Sequence, residues 1–152
     1  MIGYLRGKII SKKPTRVTID VNGVGYLVNI SISTFEKIAD KEEVSLYTYL
    51  VVKEDALDLY GFYSIPEKEM FELLISVNGI GPKTAQSILS GIQIADLKEA
   101  LKTGNIGRIV SVPGIGRKTA ERMMIELRDK VESLAMGIED ASFGCKVYVA
   151  MQ

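Results

Sequence analysis

The sequence predicts an α+β chain in two parts, a five-stranded β-barrel followed by an all-α region of paired helices. Three observations predict it. Through about position 63, apolar residues alternate with polar ones, the period of half-buried strands. At Pro66 the spacing changes to that of a helix. The helical part then repeats itself 35 residues on, from position 79 to position 114: Gly79-Ile80-Gly81-Pro82-Lys83-Thr84-Ala85 returns as Gly114-Ile115-Gly116-Arg117-Lys118-Thr119-Ala120, with Val77 and Val112 ahead of the two copies.

The strands come first. Residues 2–10 form the opening strand. Val17, Ile19 and Val21 alternate with polar neighbours, and Asn22-Gly23 supplies a hairpin turn, since both residues tolerate the positive φ of a type I′ turn. The return strand carries Val24, Tyr26, Val28 and Ile30 on one face. Residues 33–38 read as a short helix with Ser33 or Thr34 as N-cap. Two β runs follow, 44–52 and 57–63. Five short strands with a helix between the third and fourth suggest an OB-type barrel.

Helices fill the second part. Met70, Phe71, Leu74 and Ile75 mark the first apolar stripe. The turn at 78–81 ends that helix, and Pro82 suits the first position of the next, which stops at Gly91. A third helix covers 95–102, with Gly104 as its stop. Asn105 caps a short fourth that ends at Val112-Pro113. The last runs from Arg117 to about 134, with Ala120, Met123, Met124, Leu127, Val131 and Leu134 facing the core. The expected division is 1–63 for the barrel, 64–135 for the helices and 136–152 for a tail.

Composition excludes several kinds of chemistry. The 152 residues suffice for one medium domain or two small ones. Nineteen basic and 19 acidic side chains cancel. That sum lacks the basic signature of a nucleic-acid binder, yet local placement of charge decides phosphate contact. With no histidine, Ser-His-Asp, Cys-His and His-metal chemistry are excluded. The single cysteine, Cys145, allows neither an internal disulfide nor a cysteine zinc site, and it points to a reducing cytosol. No signal peptide, membrane span, cofactor motif or Gly-x-x-x-x-Gly-Lys-Ser/Thr nucleotide loop is read.

The repeat carries the chemistry. Two helices joined by Gly-Ile-Gly form a helix-hairpin-helix. Its first glycine (Gly79, Gly114) allows the sharp turn, and its second (Gly81, Gly116) lets a sugar-phosphate backbone come close. Ile80 and Ile115 pack inward. The N–H groups opening the second helix lack intrahelical acceptors and can donate to a phosphate. Lys83 and Lys118, with Arg117, Thr84 and Thr119, add charge and hydroxyls. A lysine on a first turn opposes the helix dipole, so its placement makes better sense with an anion there. The alternative is a plain tight turn between packed helices, or a hairpin that packs against a partner protein. A backbone contact carries little base information. One exposed charge at a helix N-terminus contributes only about 0.3–1 kcal/mol, so several hairpins must act together.

The two hairpins resemble the tandem helix-hairpin-helix domain of the RuvA family, the Holliday-junction-binding subunits of the bacterial RuvAB branch-migration machine. Met1-Ile2-Gly3-Tyr4-Leu5-Arg6-Gly7 is similar to that family's opening. Asn22-Gly23-Val24-Gly25-Tyr26 and Leu59-Tyr60-Gly61-Phe62 resemble its barrel. The resemblance covers residues 1 to about 135. It implies a cytoplasmic homotetramer with one subunit per arm of a four-way DNA junction. Each subunit then has two hairpins for an arm with two backbones. It implies an acidic pin at the tetramer centre, where Glu54 and Asp55 match; as residues alone, they read more readily as a solvated β-turn. It implies partnership with a RuvB-type hexameric ATPase motor, and with a RuvC-type resolvase, in recombination and DNA repair. It also implies a third, C-terminal helical domain that contacts the motor. Residues 141–152 are too short to match it, which leaves motor coupling open.

Enzymatic readings are weaker. Helix-hairpin-helix glycosylases place a catalytic Asp beyond the turn, but Asp129 falls on the solvent side of an amphipathic helix. The acids Glu42-Glu43 and Glu139-Asp140 lack partners for a metal. The resemblance implies the DNA-binding subunit of an ATP-dependent helicase complex, with no catalytic residue of its own. Two further alternatives stay open: a general duplex-DNA binder without junction preference, and a barrel that holds single strands on Tyr47, Tyr49 and Tyr60.

Overall fold

A computed structural model describes residues 1–132. The expected tail, and Leu134 with the end of the last helix, lie outside the described residues. The chain divides into two compact units, Met1–Ser64 and a second from Ile65 onward.

The first unit is a closed barrel of β1 (Tyr4–Lys13), β2 (Arg16–Val21), β3 (Val24–Ile30), β4 (Glu43–Val52) and β5 (Leu57–Phe62), in the order β1-β2-β3-β5-β4. β1 pairs with both β2 and β4, which closes the sheet and removes its edges. β3 and β5 run parallel; the other pairs are antiparallel. Alternation sends Leu5, Val17, Ile19, Val28, Ile30, Val44, Leu46 and Leu59 into one buried cluster with Ile38. Gly61 leaves no room for a side chain: a Cβ there would stand 2.6 Å from Val28 Cγ1. The β2–β3 turn has positive φ at both Asn22 and Gly23, 51° and 92°, as expected of Asn-Gly. Val24, however, is exposed, because the strand has only just left the turn.

Two strand-level expectations need correction. β1 continues to Lys13, because its register with β2 shifts between Ile9 and Ser11. Such a bulge breaks alternation, so the polar residues 11–13 do not read as strand. The short helix α1 (Ile32–Ile38) begins earlier than expected. Its cap is Ser31, whose Oγ accepts the Thr34 N–H at 3.1 Å, in place of Ser33 or Thr34.

The second unit holds α2 (Ile65–Ile75), α3 (Pro82–Gly91), α4 (Ile94–Thr103), α5 (Ile106–Val110) and α6 (Arg117–Leu127). Met70, Phe71, Leu74, Ile88, Leu97, Leu101, Ile109 and Met123 are fully buried among them. Gly104 ends α4 in the left-handed conformation, φ 76°. Asn105 caps α5, its Oδ1 accepting the Arg108 N–H at 3.2 Å. α6 is continuous from Arg117 to Leu127, and Met124 on it is only half-buried. Among the described residues, no helix is long and apolar enough to cross a membrane.

Candidate nucleic-acid interface

The two copies of the repeat fold alike, with matching glycine φ values and equivalent hydrogen bonds. In the first, α2 ends and α3 begins across residues 76–81; in the second, α5 and α6 flank 111–116. Ser76 and Ser111 occupy equivalent positions, and each Oγ donates to the carbonyl three residues back, that of Leu73 or Arg108. The Ile80 N–H reaches the Val77 carbonyl at 3.1 Å, and the Ile115 N–H reaches that of Val112 at 3.3 Å. Both valines and both isoleucines are buried, so each turn is pinned to the core by two apolar side chains.

The glycines divide by function. Gly79 and Gly114 have φ of +99° and +91°, a conformation that side-chain-bearing residues adopt at a cost. Gly81 and Gly116 differ. Their φ values, −92° and −86°, suit any residue. A Cβ on either would have nothing within 4 Å. Neither turn nor packing requires glycine at these two positions.

Each second glycine is the N-cap of the following helix, and at neither is there a side-chain capping hydrogen bond. The first intrahelical bonds run from the Ala85 N–H to the Gly81 carbonyl (2.9 Å) and from the Ala120 N–H to that of Gly116 (3.0 Å). Helical geometry thus leaves the N–H groups of Lys83 and Thr84, and of Arg117, Lys118 and Thr119, without intrahelical acceptors. Pro82 contributes no N–H in the first copy. The summed peptide dipoles add roughly +0.5 elementary charge at each end. Lys83, Lys118 and Arg117 are exposed, and Thr84 and Thr119 half-buried. Arg117 is partly neutralised by Glu121, with Nε 3.2 Å from Oε1. All nine residues expected at the hairpins therefore gather at two turns. Each turn brings together backbone donors, an uncrowded glycine and positive charge.

Glu54 and Asp55 stand in the other unit, exposed at the tip between β4 and β5. The Lys53 N–H closes the turn on the Ala56 carbonyl at 2.8 Å. Val52 and Leu57 at its base are exposed, so the two carboxylates sit on a tip with no packing over it within its unit.

Other expected residues fall elsewhere. Tyr60 belongs to the barrel core, 3% exposed, where burial and nearby Asp58 push its phenol up. It cannot serve in a base-stacking face. Tyr47 and Tyr49 are half-buried, and the Tyr47 ring lies 5.4 Å from that of Tyr4. Asp129 is exposed. Among the described residues, no group of three Asp, Glu or Cys side chains is placed to hold a metal. One participant escaped the sequence reading: Arg122 of α6 donates from Nη1 to the Asn78 carbonyl in the first turn, at 2.8 Å. The paired serines could have been found by laying the two copies side by side. Nothing local announces Arg122.

The fold and these turns define a class, a small barrel joined to tandem helix-hairpin-helices. Comparison with known proteins agrees. A family model described as RuvA N terminal domain matches residues 1–61, and one described as SAM-like Helix-hairpin-helix tandem matches residues 71–129. The chain is 51% identical over 138 residues to a protein of Geotalea daltonii, covering 90% of this chain and 69% of that one. It is 50% identical over 131 residues to one from Christiangramia forsetii, covering 86% and 68%. A third, from Solibacter usitatus, is 52% identical over 132 residues, covering 86% and 67%. All three are called Holliday junction branch migration complex subunit RuvA. The chain belongs to the RuvA family.

Proposed function

We propose that this chain binds four-way DNA junctions through their sugar-phosphate backbones and holds them for branch migration by a partner ATPase. The observation that carries the reading is the pair of open glycines. Gly81 and Gly116 are unstrained and uncrowded, so their lack of a side chain serves something that approaches from outside. Each faces helix-opening N–H groups and a lysine, the chemistry of a phosphate oxygen. The residues in these roles are Gly79, Gly81, Lys83 and Thr84 at the first turn, and Gly114, Gly116, Arg117, Lys118 and Thr119 at the second.

Junction preference draws support from family membership and from the number of grips. A duplex arm has two backbones, and a chain with two hairpins can hold both. A homotetramer would place one chain on each of four arms. Glu54 and Asp55 act as a pin: carboxylates repel phosphates and so disfavour intact duplex beside them. The chain itself binds and holds in the cytoplasm. The ATP-driven step falls to a RuvB-type motor, and cleavage to a RuvC-type resolvase, in recombination and repair.

A gel-shift competition between a four-way junction and linear duplex of equal length, run at several salt concentrations, tests this. The junction should win at every salt. Equal affinity would leave a general duplex binder, and no binding to either would favour a protein-interaction module. In the same assay, Glu54→Ala with Asp55→Ala should raise duplex affinity several-fold by removing like-charge repulsion. Duplex affinity that stays constant or falls removes the pin.

A further inference from the structure

We propose that Arg122 is a positioning residue that makes the two hairpins a single grip; this rests on the reading that both hairpins hold backbone phosphates. Arg122 lies on α6, the helix opened by the second turn, yet its Nη1 donates to the Asn78 carbonyl in the first, 44 residues away in sequence. That carbonyl belongs to the residue before Gly79, where φ turns positive and the chain reverses toward α3. The same Nη1 lies 3.4 Å from where a Cβ on Gly79 would stand. Arg122 therefore fixes the point from which Gly79, Gly81 and the opening N–H groups of α3 are aimed.

Its other surroundings point the same way. Arg108 and Arg117 each meet a carboxylate, Asp96 at 3.0 Å and Glu121 at 3.2 Å. Arg122 is half-buried and has no carboxylate within ion-pair distance among the described residues. Its charge is directed at a neutral carbonyl, and charge-assisted bonds of that kind are roughly twice as strong as neutral ones. Lys118 precedes Arg122 by four residues, so both stand on one face of α6. One helix thus presents the second turn's lysine and braces the first turn.

Among the described residues, the brace runs one way only. At the repeat's spacing, the counterpart of Arg122 is Ser87 and that of Asn78 is Pro113. Serine is too short to return the contact. The first hairpin depends on the second for its aim, while the second depends only on its own packing. Two weak sites reinforce each other only if their spacing is held, and Arg122 holds it.

The test compares Arg122→Ala and Arg122→Lys with the parent chain, each with and without Lys83→Ala and Lys118→Ala. Without DNA, amide hydrogen exchange should quicken at 78–84 in Arg122→Ala and stay unchanged at 114–119. With junction DNA, affinity should fall about tenfold, and the energetic coupling between Lys83 and Lys118 in a double-mutant cycle should vanish. Arg122→Lys, which keeps a donor and a charge, should recover part of both, and it stands in for the alanine variant should that one fail to fold. Unchanged exchange at the first turn, even with weakened binding, overturns the proposal, because Arg122 would then act by touching phosphate. Quickened exchange with unchanged affinity and coupling overturns it as well. If Lys83→Ala and Lys118→Ala leave binding intact in the parent chain, it is the phosphate reading of the hairpins that fails.

Discussion

The two hairpins share a backbone but differ in the groups set around it. Both have a left-handed first glycine, a buried Ile between buried Val and core, and an open second glycine. Beyond that they diverge. The first turn has Pro82 where the second has Arg117, so it offers one N–H fewer and one charge fewer on its own first turn. The second pairs Arg117 with Glu121, which blunts that added charge; the first has Gln86 at the matching position. The first is braced from outside by Arg122, and among the described residues no side chain does the same for the second. On the proposed function, the shared features are those a phosphate needs, and the differing ones would set how strongly each copy holds it.

Removing the shared charge should have the largest effect. Lys83→Ala with Lys118→Ala should cost about 1.5 kcal/mol per lysine in junction binding, roughly tenfold each, and lower the salt slope by about two. Titrations at several salt concentrations check this, and an unchanged slope breaks the claim that both turns hold phosphate. If one single variant loses most of the binding alone, the copies are less equivalent than their backbones suggest.

A smaller effect separates turn geometry from turn chemistry. Gly79→Ala and Gly114→Ala should each destabilise the helical unit by about 1–2 kcal/mol, because both force a Cβ into the left-handed region. Thermal melting reads this directly. The two losses should be equal, since a Cβ on Gly79 meets only the end of the Arg122 side chain at an ordinary 3.4 Å and that of Gly114 meets nothing. A clearly larger loss at Gly79 would mean that the Arg122 contact cannot adjust.

Legibility followed the range of the interactions. The barrel strands, the Asn22-Gly23 turn, the Asn105 cap and the Gly104 stop were readable because each is decided within a few residues. The bulge in β1 was not, because a register shift exists only in relation to the partner strand. The Ser31 cap was missed in favour of neighbours with the same chemistry, since Ser33 and Thr34 cap as well as Ser31 in isolation. For the turns, the repeat brought every expected hairpin residue to one of two places. What it could not reveal was that Gly81 and Gly116 are unconstrained by their own fold, or that an arginine from the second copy reaches the first. Both are facts about space, and a linear pattern records only order.

The central claim is that the second glycine of each hairpin is there for DNA and not for the fold. Its most direct test is junction binding by Gly81→Ser with Gly116→Ser. Serine is a good N-cap and should supply the side-chain cap that both helices lack, so melting should hold or rise. The same hydroxymethyl group would occupy the phosphate's place and compete for its N–H donors. The account predicts a well-folded chain that has lost junction binding at physiological salt. A well-folded chain that binds as tightly as the parent would contradict it.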